Sequence, residues 1–290
     1  MTIEFEQHRS HLRGVAYRML GSLAEAEDAV QEAWLRLDRA DASDVANPRG
    51  WLTTIVARIC LDMLRTRKSR GEEALDLRAD RHASTDAEQE LVLADSVGLA
   101  LLIVLDKLDP AERLAFVLHD LAGLSFEEIA DILQRSPEAT RQLASRARRR
   151  VQGSRRPDTD LASQRHSVES FIAALRQGDV EGMIAVLHPD VVGRATDDKG
   201  NVREVRGART WASGAVAFAQ FAKHRMAAAL IDGAVGLVMA PKGRLLRALC
   251  FEFEGDRIVR AEIITDRARL DALDIAALEL PAPTDSNPSP

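Results

Sequence analysis

The chain has 290 residues, of which 46% are hydrophobic and 29% charged, and its formal net charge is −6. Such a chain is long enough for two or three globular domains, and its acidic balance excludes a protein that coats nucleic acid with its whole surface. No apolar run reaches the length of a membrane span, and the polar residues 1–10 lack the apolar core of a signal peptide. We therefore expect a cytoplasmic protein whose contacts with polyanions are confined to local basic patches.

The two cysteines, Cys60 and Cys250, lie far apart, and each falls within a segment of periodic apolar residues. This placement predicts two buried small hydrophobic residues in a reducing compartment, not a disulfide or a metal site. We expect neither a metal nor a cofactor.

The first two predicted helices follow one another closely. Apolar spacing predicts a helix through residues 12–20 that ends at Gly21, and Ser22 with Glu25 forms a capping box that begins a second helix over residues 23–37. The outward face of the second helix is acidic and polar and carries Glu25, Asp28, Gln31 and Glu32. Such a face is either simply solvated or a docking surface for a basic partner protein.

Residues 49–67 predict a helix with two stripes. One stripe is apolar and forms the expected core: Leu52, Ile55, Val56, Ile59 and Met63. The other carries Trp51, Thr54, Arg58, Asp62 and Arg65 and is followed by Arg67, Lys68 and Arg70. A ring on which a base can stack, beside cations for the backbone, is typical of a platform for single-stranded DNA. Alternatively, Trp51 packs against the preceding helix and the basic residues only stabilise the end of their own helix.

Residues 124–151 predict two short helices joined by a tight turn. Ser125 and Glu128 form a capping box for the first helix, and Ser136 before Pro137 caps the second. The first helix is expected to bury Phe126, Ile129, Ala130 and Leu133. The second is expected to bury Thr140, Leu143, Ala144, Ala147 and Val151. This is the layout of a helix-turn-helix that reads DNA.

The outward side of the second helix is basic and polar: Glu138, Arg141, Gln142, Ser145, Arg148 and Arg149. Between residues 135 and 156 there are eight arginines and one glutamate, although the chain as a whole is acidic. This local charge favours a polyanion as the partner. The alternative is a solvated basic face on an ordinary helical protein.

After the polar joint 152–164 the pattern changes to helices followed by strands. Helices are predicted from residue 168 to Gly178, from Val180 to Leu187 and from 208 to 222. Strands are predicted at residues 191–196, from the end of the turn 197–201 to residue 205, and at 225–231, 235–240, 245–253 and 258–264. This order predicts an α+β domain.

Three motifs, taken in order, resemble bacterial extracytoplasmic-function (ECF) RNA polymerase sigma factors. They are the acidic run 24–32, then Trp51-Leu52 with Arg58 and Leu61-Asp62, and then Asp109-Pro110-Ala111-Glu112-Arg113 ahead of the helix-turn-helix. The run 141–148 resembles in particular the SigJ- and SigI-like subgroup, in which two all-α sigma domains are followed by a SnoaL-like (NTF2-like) α+β cone. The resemblance implies sigma region 2 over 1–70, a flexible linker over 71–90, region 4 over 91–156, a SnoaL-like regulatory domain over 165–275 and a disordered tail over 276–290.

The resemblance also assigns roles to residues. Core RNA polymerase would be bound by Asp28, Gln31, Glu32 and Leu35. The −10 promoter element would be recognised and melted by Trp51, Thr54, Arg58, Arg65, Arg67 and Lys68. The −35 element would be read in the major groove by Ser136, Arg141, Gln142, Ser145, Arg146 and Arg149.

The chain departs from these relatives in its linker and in two loops. Gly71–Glu90 is charged and replaces an aromatic and proline-rich stretch, which favours the SigI-like branch and a mobile linker. Two loops that resemble Asp-Gly-Gly-Gly-Lys and Asn-Pro-Asp-Lys-Leu begin here at Asp197 and Asp266. From these loops we expect regulatory contacts by Asp197, Asp198, Lys199, Asp266 and Arg269.

SnoaL-like cones surround a pocket, which raises the question of catalysis. Four residues could serve acid–base chemistry there: His188, Asp197, His224 and Asp266. However, His188 precedes Pro189 at a predicted helix end, and Asp is common in turns for backbone reasons. We expect a regulatory domain, with or without a small ligand; an enzyme and an inert dimerisation module are the alternatives.

Together these patterns predict a sigma factor that binds core RNA polymerase, directs promoter-specific initiation and is regulated in cis by its C-terminal domain. We do not expect an enzyme. The runner-up is a helix-turn-helix repressor or activator with a ligand-binding domain. The acidic helix and the aromatic-basic stripe favour the sigma factor, because a repressor needs neither.

Overall fold

The computed structural model describes residues 2–37, 47–69, 98–153, 160–196, 202–219, 226–240 and 245–278. Several sequence predictions fall outside these residues: the linker 71–90, Arg70, the loop with Asp197, Asp198 and Lys199, the candidate His224, and the tail beyond residue 278. The chain divides into two compact units. The first is built from residues 1–97 and 105–150, and the second from residues 98–104 and 151–280.

The first unit begins with three helices: α1 (Thr2–Leu20), α2 (Leu23–Leu37) and α3 (Pro48–Ser69). The chain leaves α1 at Gly21, whose positive φ of 76° is accessible at low cost only to a residue without a side chain. The predicted apolar faces of α1 and α2 are buried, so both predictions are confirmed.

The apolar face of α3 is wider than the sequence predicted. Leu52, Val56 and Ile59 are buried as expected, but Ile55 and Met63 are only half-buried. The rest of the buried face is made by Thr53, Ala57, Cys60, Leu61 and Leu64. The predicted stripe was therefore displaced by about one residue around the helix, because the face that packs is chosen by the neighbouring helices and not by apolar spacing alone.

The cysteines differ in burial. Cys60 is buried in α3, and burial raises the pKa of its thiol to about 12, so the thiol stays protonated and unreactive at neutral pH. The expectation of a buried cysteine is confirmed for Cys60 and wrong for Cys250, which is half-buried in the second unit.

Four further helices lie between residues 99 and 152: α4 (Leu99–Asp106), α5 (Pro110–Phe116), α6 (Phe126–Leu133) and α7 (Pro137–Gln152). α5 runs on into a π-helical turn, Val117–Leu121. α5, α6 and α7 up to Arg150 belong to the first unit. Residues 98–104 and the end of α7 from Val151 belong to the second.

A buried cation joins α5 to α1 inside the first unit. Arg113 is 2% exposed, and its Nε donates a hydrogen bond of 3.0 Å to the carbonyl oxygen of Arg18, near the end of α1. The carboxylate of Asp106 lies 3.7 Å from a guanidinium nitrogen of Arg113. Burial lowers the pKa of Arg113 to about 10, so the side chain is still charged at neutral pH.

The second unit contains helices packed on strands. Its helices are α8 (Leu161–Gln177), α9 (Val180–Ala185), α10 (Ala208–Ala219) and α11 (Arg267–Ala272). Its strands are β1 (Leu187–Thr196), β2 (Val202–Arg206), β3 (Met226–Ile231), β4 (Ala234–Met239), β5 (Arg247–Glu254), β6 (Arg257–Ile264) and β7 (Ile275–Ala276). The predicted α+β domain is confirmed.

The strands of the described residues form one sheet in the order β2-β1-β6-β5-β4-β3-β7. β1 and β6 pair in parallel, and the remaining neighbours pair antiparallel. Asp232 and Gly233 join β3 to β4 with φ values of 50° and 82°, the two positive angles that a type I′ hairpin turn requires.

An aromatic core fills the space between the helices and the sheet. The ring of Phe171 on α8 stacks against Trp211 on α10 at 5.4 Å and meets Phe251 on β5 edge-on at 5.9 Å. Such rings bury large apolar areas. Aliphatic residues from α8, α9 and the strands complete this core.

The second unit differs from the sequence prediction at two boundaries. The helix expected over Val180–Leu187 ends at Ala185, and β1 begins at Leu187, so His188 lies in a strand and not at a helix end. The pairing of β1 with β6 shifts register between Leu187 and Val192, which accommodates Pro189, a residue that cannot donate a ladder hydrogen bond. At the other end, β7 pairs with β3 and carries the ordered chain past the expected boundary at residue 275.

Replacing Arg113 by alanine should lower the free energy of unfolding by about 2–4 kcal/mol, because the Arg18 carbonyl loses its charged donor and a cavity opens beside α1. Urea denaturation followed by circular dichroism measures the change. Arg58→Ala, on the exposed side of α3, is the matched control and should stay within about 0.5 kcal/mol of the wild type. Equal stability of the two variants would contradict the role assigned to Arg113.

Candidate nucleic-acid interface

The two predicted helices and their tight turn are confirmed at the atomic level. Ser125 Oγ accepts a 3.2 Å hydrogen bond from the Glu128 N–H, and the Glu128 carboxylate accepts one of 2.8 Å from the Ser125 N–H. α6 ends where Gln134 takes a left-handed backbone with φ of 54°. Ser136 Oγ then accepts from the Ala139 N–H at 3.1 Å and begins α7. Reciprocal capping of this kind fixes the chain path between the two helices.

α7 separates its two faces as the sequence predicted. The apolar side is buried and contains Thr140, Leu143, Ala144, Ala147 and Val151. The polar side is exposed and contains Arg141, Gln142, Ser145, Arg146 and Arg149. Phe126, which was predicted to be core, is only half-buried. Its ring lies at the edge of α6, where it meets His119 and Arg141.

Two carboxylates from α5 and the π-helical turn bind arginines of α7. The buried carboxylate of Glu112 lies 3.4 Å from Arg146 and 3.0 Å from Arg150. Asp120 accepts hydrogen bonds of 2.8 Å and 2.5 Å from Arg148. These arginines therefore hold α7 against its own domain. Within the described part of the chain, Arg141 and Arg149 have no carboxylate partner.

The aromatic-basic stripe of α3 is partly confirmed by exposure. Arg58 and Arg65 are exposed, whereas Trp51 and Thr54 are half-buried, with Thr54 Oγ1 donating to the Gly50 carbonyl oxygen at 3.0 Å. The half-buried ring of Trp51 is compatible both with base stacking and with packing. The last two basic residues are held by carboxylates. Arg67 lies 2.5 Å from Glu25, and Lys68 pairs with Asp109.

A closed circuit of hydrogen bonds fixes the start of α3 on α1. Arg49 Nη2 donates to His11 Nδ1 at 3.2 Å, and His11 Nε2 donates to Thr53 Oγ1 at 3.3 Å. Thr53 Oγ1 donates in turn to the Arg49 carbonyl oxygen at 2.8 Å. The circuit requires a neutral imidazole. Burial, followed by the charges of Arg49 and Arg18, lowers the pKa of His11 to about 4.

The predicted acidic face of α2 is exposed at its centre. Asp28 and Gln31 are exposed, and Glu32 pairs with Arg36 at 2.9 Å. Leu35 on the same face is 45% exposed. An apolar centre with a polar rim is the usual anatomy of a protein–protein interface.

Comparison with known proteins decides which class of DNA-binding protein these surfaces belong to. The sigma-70 region 2 family matches residues 5–70, and the sigma-70 region 4 family matches residues 99–151. The probable ECF RNA polymerase sigma factor SigI of Mycobacterium tuberculosis H37Rv is 41% identical over 201 residues, which cover 67% of this chain and 69% of SigI. The chain belongs to the ECF RNA polymerase sigma factors. The runner-up, a repressor or activator, is thereby set aside.

Two further relatives extend the comparison. The ECF sigma factor SigJ of M. tuberculosis H37Rv is 41% identical over 218 residues, or 70% of this chain and 68% of SigJ. The crystal structure of M. tuberculosis SigJ matches 93% of this chain and 98% of its own at 32% identity, with a TM-score of 0.46. An NTF-2 like protein of Burkholderia xenovorans matches 36% of this sigma factor and 84% of its own chain at 12% identity, with a TM-score of 0.28.

As an ECF sigma factor, the protein binds core RNA polymerase and directs promoter-specific initiation of transcription. Region 2 contains α1 to α3, and the region 4 match contains α4 to α7. No helix in the described ranges combines the length and the hydrophobicity needed to cross a bilayer.

The candidate acid–base residues that the structure describes have structural partners. His188 Nδ1 accepts a 3.2 Å hydrogen bond from the Asp190 N–H. Asp266 caps the start of α11 by accepting from the Arg269 N–H at 2.9 Å. The Arg269 side chain pairs with Glu262 of β6 at 2.7 Å. The structural role of Asp266 is therefore to cap the start of α11.

An open cavity of about 300 Å³ lies in the second unit beside β1, β5 and β6. Charged and polar residues on its wall include Arg194, Cys250, Glu252, Arg260, Glu262 and Arg269. The cations and carboxylates alternate, with Arg260 3.7 Å from Glu252. Such alternation across neighbouring strands is ordinary sheet stabilisation. Phe251, which meets Phe171 in the aromatic core, also lines this cavity.

Sequence reasoning missed the pairs that hold α7 on its own domain and α5 on α1. Glu112 is 38 positions from Arg150, Asp120 is 28 from Arg148 and Arg113 is 95 from Arg18. Helical periodicity relates only residues three or four positions apart, so it gives no signal for such pairs. The one available hint was a glutamate and an arginine on the otherwise apolar helix α5.

The histidine circuit makes stability depend on pH in a defined window. In the unfolded chain His11 binds a proton near its ordinary pKa of 6.5, whereas the folded protein binds it only near pH 4. The contribution of neutral His11 to the free energy of unfolding should therefore be fully present above pH 6.5 and be lost as the pH falls towards 4. After allowance for partial exposure to solvent, His11 should account for about 1 kcal/mol of the loss between pH 7 and pH 5.

Urea denaturation of the wild type and of His11→Gln at a series of pH values measures this contribution. The His11→Gln profile should be the shallower of the two between pH 7 and pH 5. Parallel profiles would show that His11 titrates alike in the folded and unfolded chains.

Proposed function

We propose that the C-terminal unit of this sigma factor regulates initiation in cis by acting on the helix that reads the −35 element. One observation carries the proposal. Val151, the second-last residue of α7, is fully buried, and its carbonyl oxygen accepts a 3.0 Å hydrogen bond from the Ala277 N–H, just after β7. Both residues belong to the second unit, whereas α7 up to Arg150 belongs to the first. The boundary between the two units therefore falls within the last turn of α7, at Val151.

A glycine makes this attachment possible. Gly153 follows α7 with φ of 59°, and a Cβ placed on it would stand 2.3 Å from the Cβ of Ala276. No side chain fits at that distance, so the close approach of the two segments depends on glycine. We refer to Val151, Gly153, Ala276 and Ala277 as the helix clasp.

The clasp supplies a route for regulation that needs no contact of the C-terminal unit with DNA. A change in the second unit can be passed to α7 through the hydrogen bond at Val151 and the packing at Gly153. We further propose that a small ligand, where one binds in the open cavity, acts by its differential affinity for two arrangements of this unit.

The surfaces of the first unit support a division of labour among the predicted residues. We propose that Asp28, Gln31, Glu32 and Leu35 bind core polymerase. Leu35 is an exposed apolar residue on α2, and the other three are polar or acidic residues on the same face. The stripe with Trp51, Thr54, Arg58, Arg65, Arg67 and Lys68 is assigned to the −10 element. The exposed face of α7 with its cap, namely Ser136, Arg141, Gln142, Ser145, Arg146 and Arg149, is assigned to the −35 element.

We propose that none of these roles involves catalysis and that the protein acts in the cytoplasm. The structural partners of His188 and Asp266 support a C-terminal unit without acid–base chemistry. Initiation itself asks the sigma factor for binding surfaces only, because melted DNA needs a stacking platform and closed duplex needs a helix in the major groove.

Leu35→Asp should weaken binding to core polymerase by about tenfold or more, because a charge replaces the apolar centre of the α2 surface. Val202→Asp is the matched control, since Val202 is 50% exposed on β2 of the other unit and Leu35 is 45% exposed. Fluorescence anisotropy with labelled sigma factor and core polymerase gives both affinities. Equal losses in the two variants would remove Leu35 from the polymerase interface.

Gly153→Ala tests the clasp. The added methyl group collides with Ala276, so promoter output should change by about fivefold or more while affinity for core polymerase stays the same. Gly255→Ala is the control. Gly255 has nearly the same φ, 60°, but a Cβ there would meet nothing within 4 Å. Both variants thus carry the same backbone strain, and only one disturbs the clasp.

Run-off transcription with reconstituted holoenzyme measures the output of each variant. A change confined to Gly153→Ala supports regulation through the end of α7. Equal output from both variants and the wild type would leave the C-terminal unit without a route through the clasp and would return weight to an inert dimerisation module.

A further inference from the structure

Phe126 and His119 form an aromatic pair beside the DNA-reading helix. Phe126 is the first residue of α6 and is half-buried, and the centroid of its ring lies 3.9 Å from that of His119, with 27° between the ring planes. The guanidinium carbon of Arg141, on α7, lies 5.1 Å from the Phe126 centroid. This is the geometry of a cation–π contact. The ring pair therefore lies directly against one exposed arginine of α7.

Both rings are fixed by the turns on which they stand. His119 Nδ1 lies 3.0 Å from the Leu124 carbonyl oxygen, which can only accept, so Nδ1 carries the proton and donates. Phe126 follows Ser125 directly, and the capping box between Ser125 and Glu128 fixes the start of α6. The pair is thus a preformed surface and not a flexible one.

The way in which Arg141 is held differs from that of its neighbours on α7. Arg146, Arg148 and Arg150 are bound by carboxylates, which occupy guanidinium N–H donors. A ring face attracts the cation through its π electrons and leaves the N–H donors at the edge of the guanidinium plane unoccupied. Among the described residues, Arg141 is the arginine of α7 that combines a fixed position with unoccupied donors.

The position of Arg141 on α7 suits base recognition. It is the fifth residue of a helix that begins at Pro137, and helix-turn-helix proteins contact base edges with the N-terminal part of the second helix. Arginine recognises guanine by two parallel hydrogen bonds, which demand a defined orientation of the guanidinium plane. A guanidinium that is already oriented loses less side-chain entropy on binding than a freely rotating one.

We propose that Phe126, supported by His119, is a positioning residue that determines specificity by orienting Arg141 for a guanine of the −35 element. The proposal rests on the proposed function of Arg141 as a base reader. It extends that function to residues that touch no DNA themselves. The pair sets how strongly one base is preferred, and it leaves contacts elsewhere on the promoter unchanged.

The experiment uses full-length sigma factor with core polymerase and a promoter library randomised through the −35 element. Arg141→Ala identifies the position read by Arg141 as the one at which base preference disappears. Phe126→Leu keeps an apolar side chain of similar bulk but removes the ring, and it should reduce preference at that same position by about 2- to 5-fold, which is the range of an exposed cation–π contact. Phe126→Tyr keeps the ring and should keep the preference.

Each outcome decides the matter. A loss confined to the Arg141 position in Phe126→Leu, absent in Phe126→Tyr and not increased in the double variant with Arg141→Ala, supports the proposal. A uniform loss at all positions in Phe126→Leu overturns it, because the ring would then only stabilise α6. No loss in Phe126→Leu, with a position-specific loss in Arg141→Ala, also overturns it. If Arg141→Ala abolishes base preference at no single position, Arg141 is not a base reader. The proposed role of Arg141 and the positioning role of Phe126 then fail together.

Discussion

The buried carboxylate of Glu112 is the constraint on which region 4 depends. A buried carboxylate is unstable unless its charge is matched, and Glu112 is matched by Arg146 and Arg150 from the far half of α7. Asp120 holds Arg148 in the same way. These pairs fix the rotation of α7 about its own axis. In that rotation Gln142, Ser145 and their neighbours are exposed to solvent, so the internal ion pairs help to decide which side of α7 is accessible.

A second buried charge joins the two sigma regions within the first unit. Arg113 ties α5 of region 4 to α1 of region 2, and α3 packs against α6. Because Arg113 is only 2% exposed, separating α5 from α1 would leave the Arg18 carbonyl oxygen without this donor and would break a buried hydrogen bond. The contact therefore stabilises the packing of region 4 on region 2.

The sequence predicted those parts of the fold that depend on near neighbours in the chain. The capping box at Ser125, the cap at Ser136 and the apolar side of α7 all involve residues within about one helical turn of each other. Phe126 was mistaken for core because periodicity places it on the buried side of α6, although His119 and Arg141 hold it at the edge. The strand predicted at 191–196 begins earlier, at Leu187, and this start was missed because proline argues against a ladder unless a bulge accommodates it. The exposure of the candidate DNA-reading residues on α7 could be predicted from helical spacing. The ion pairs of Arg146, Arg148 and Arg150 could not, because their partners are distant in the sequence.

The internal ion pairs also reduce the number of α7 arginines that are free to bind phosphates. Salt dependence of DNA binding scales with the number of phosphates neutralised, with a slope of about −0.9 per phosphate. Among the described residues, three of the five arginines of α7 have carboxylate partners, and Arg141 and Arg149 have none. The pairs of Arg146, Arg148 and Arg150 compete with phosphates for the same guanidinium donors. The number of arginines on α7 is therefore an upper bound on the number of phosphates that this helix neutralises.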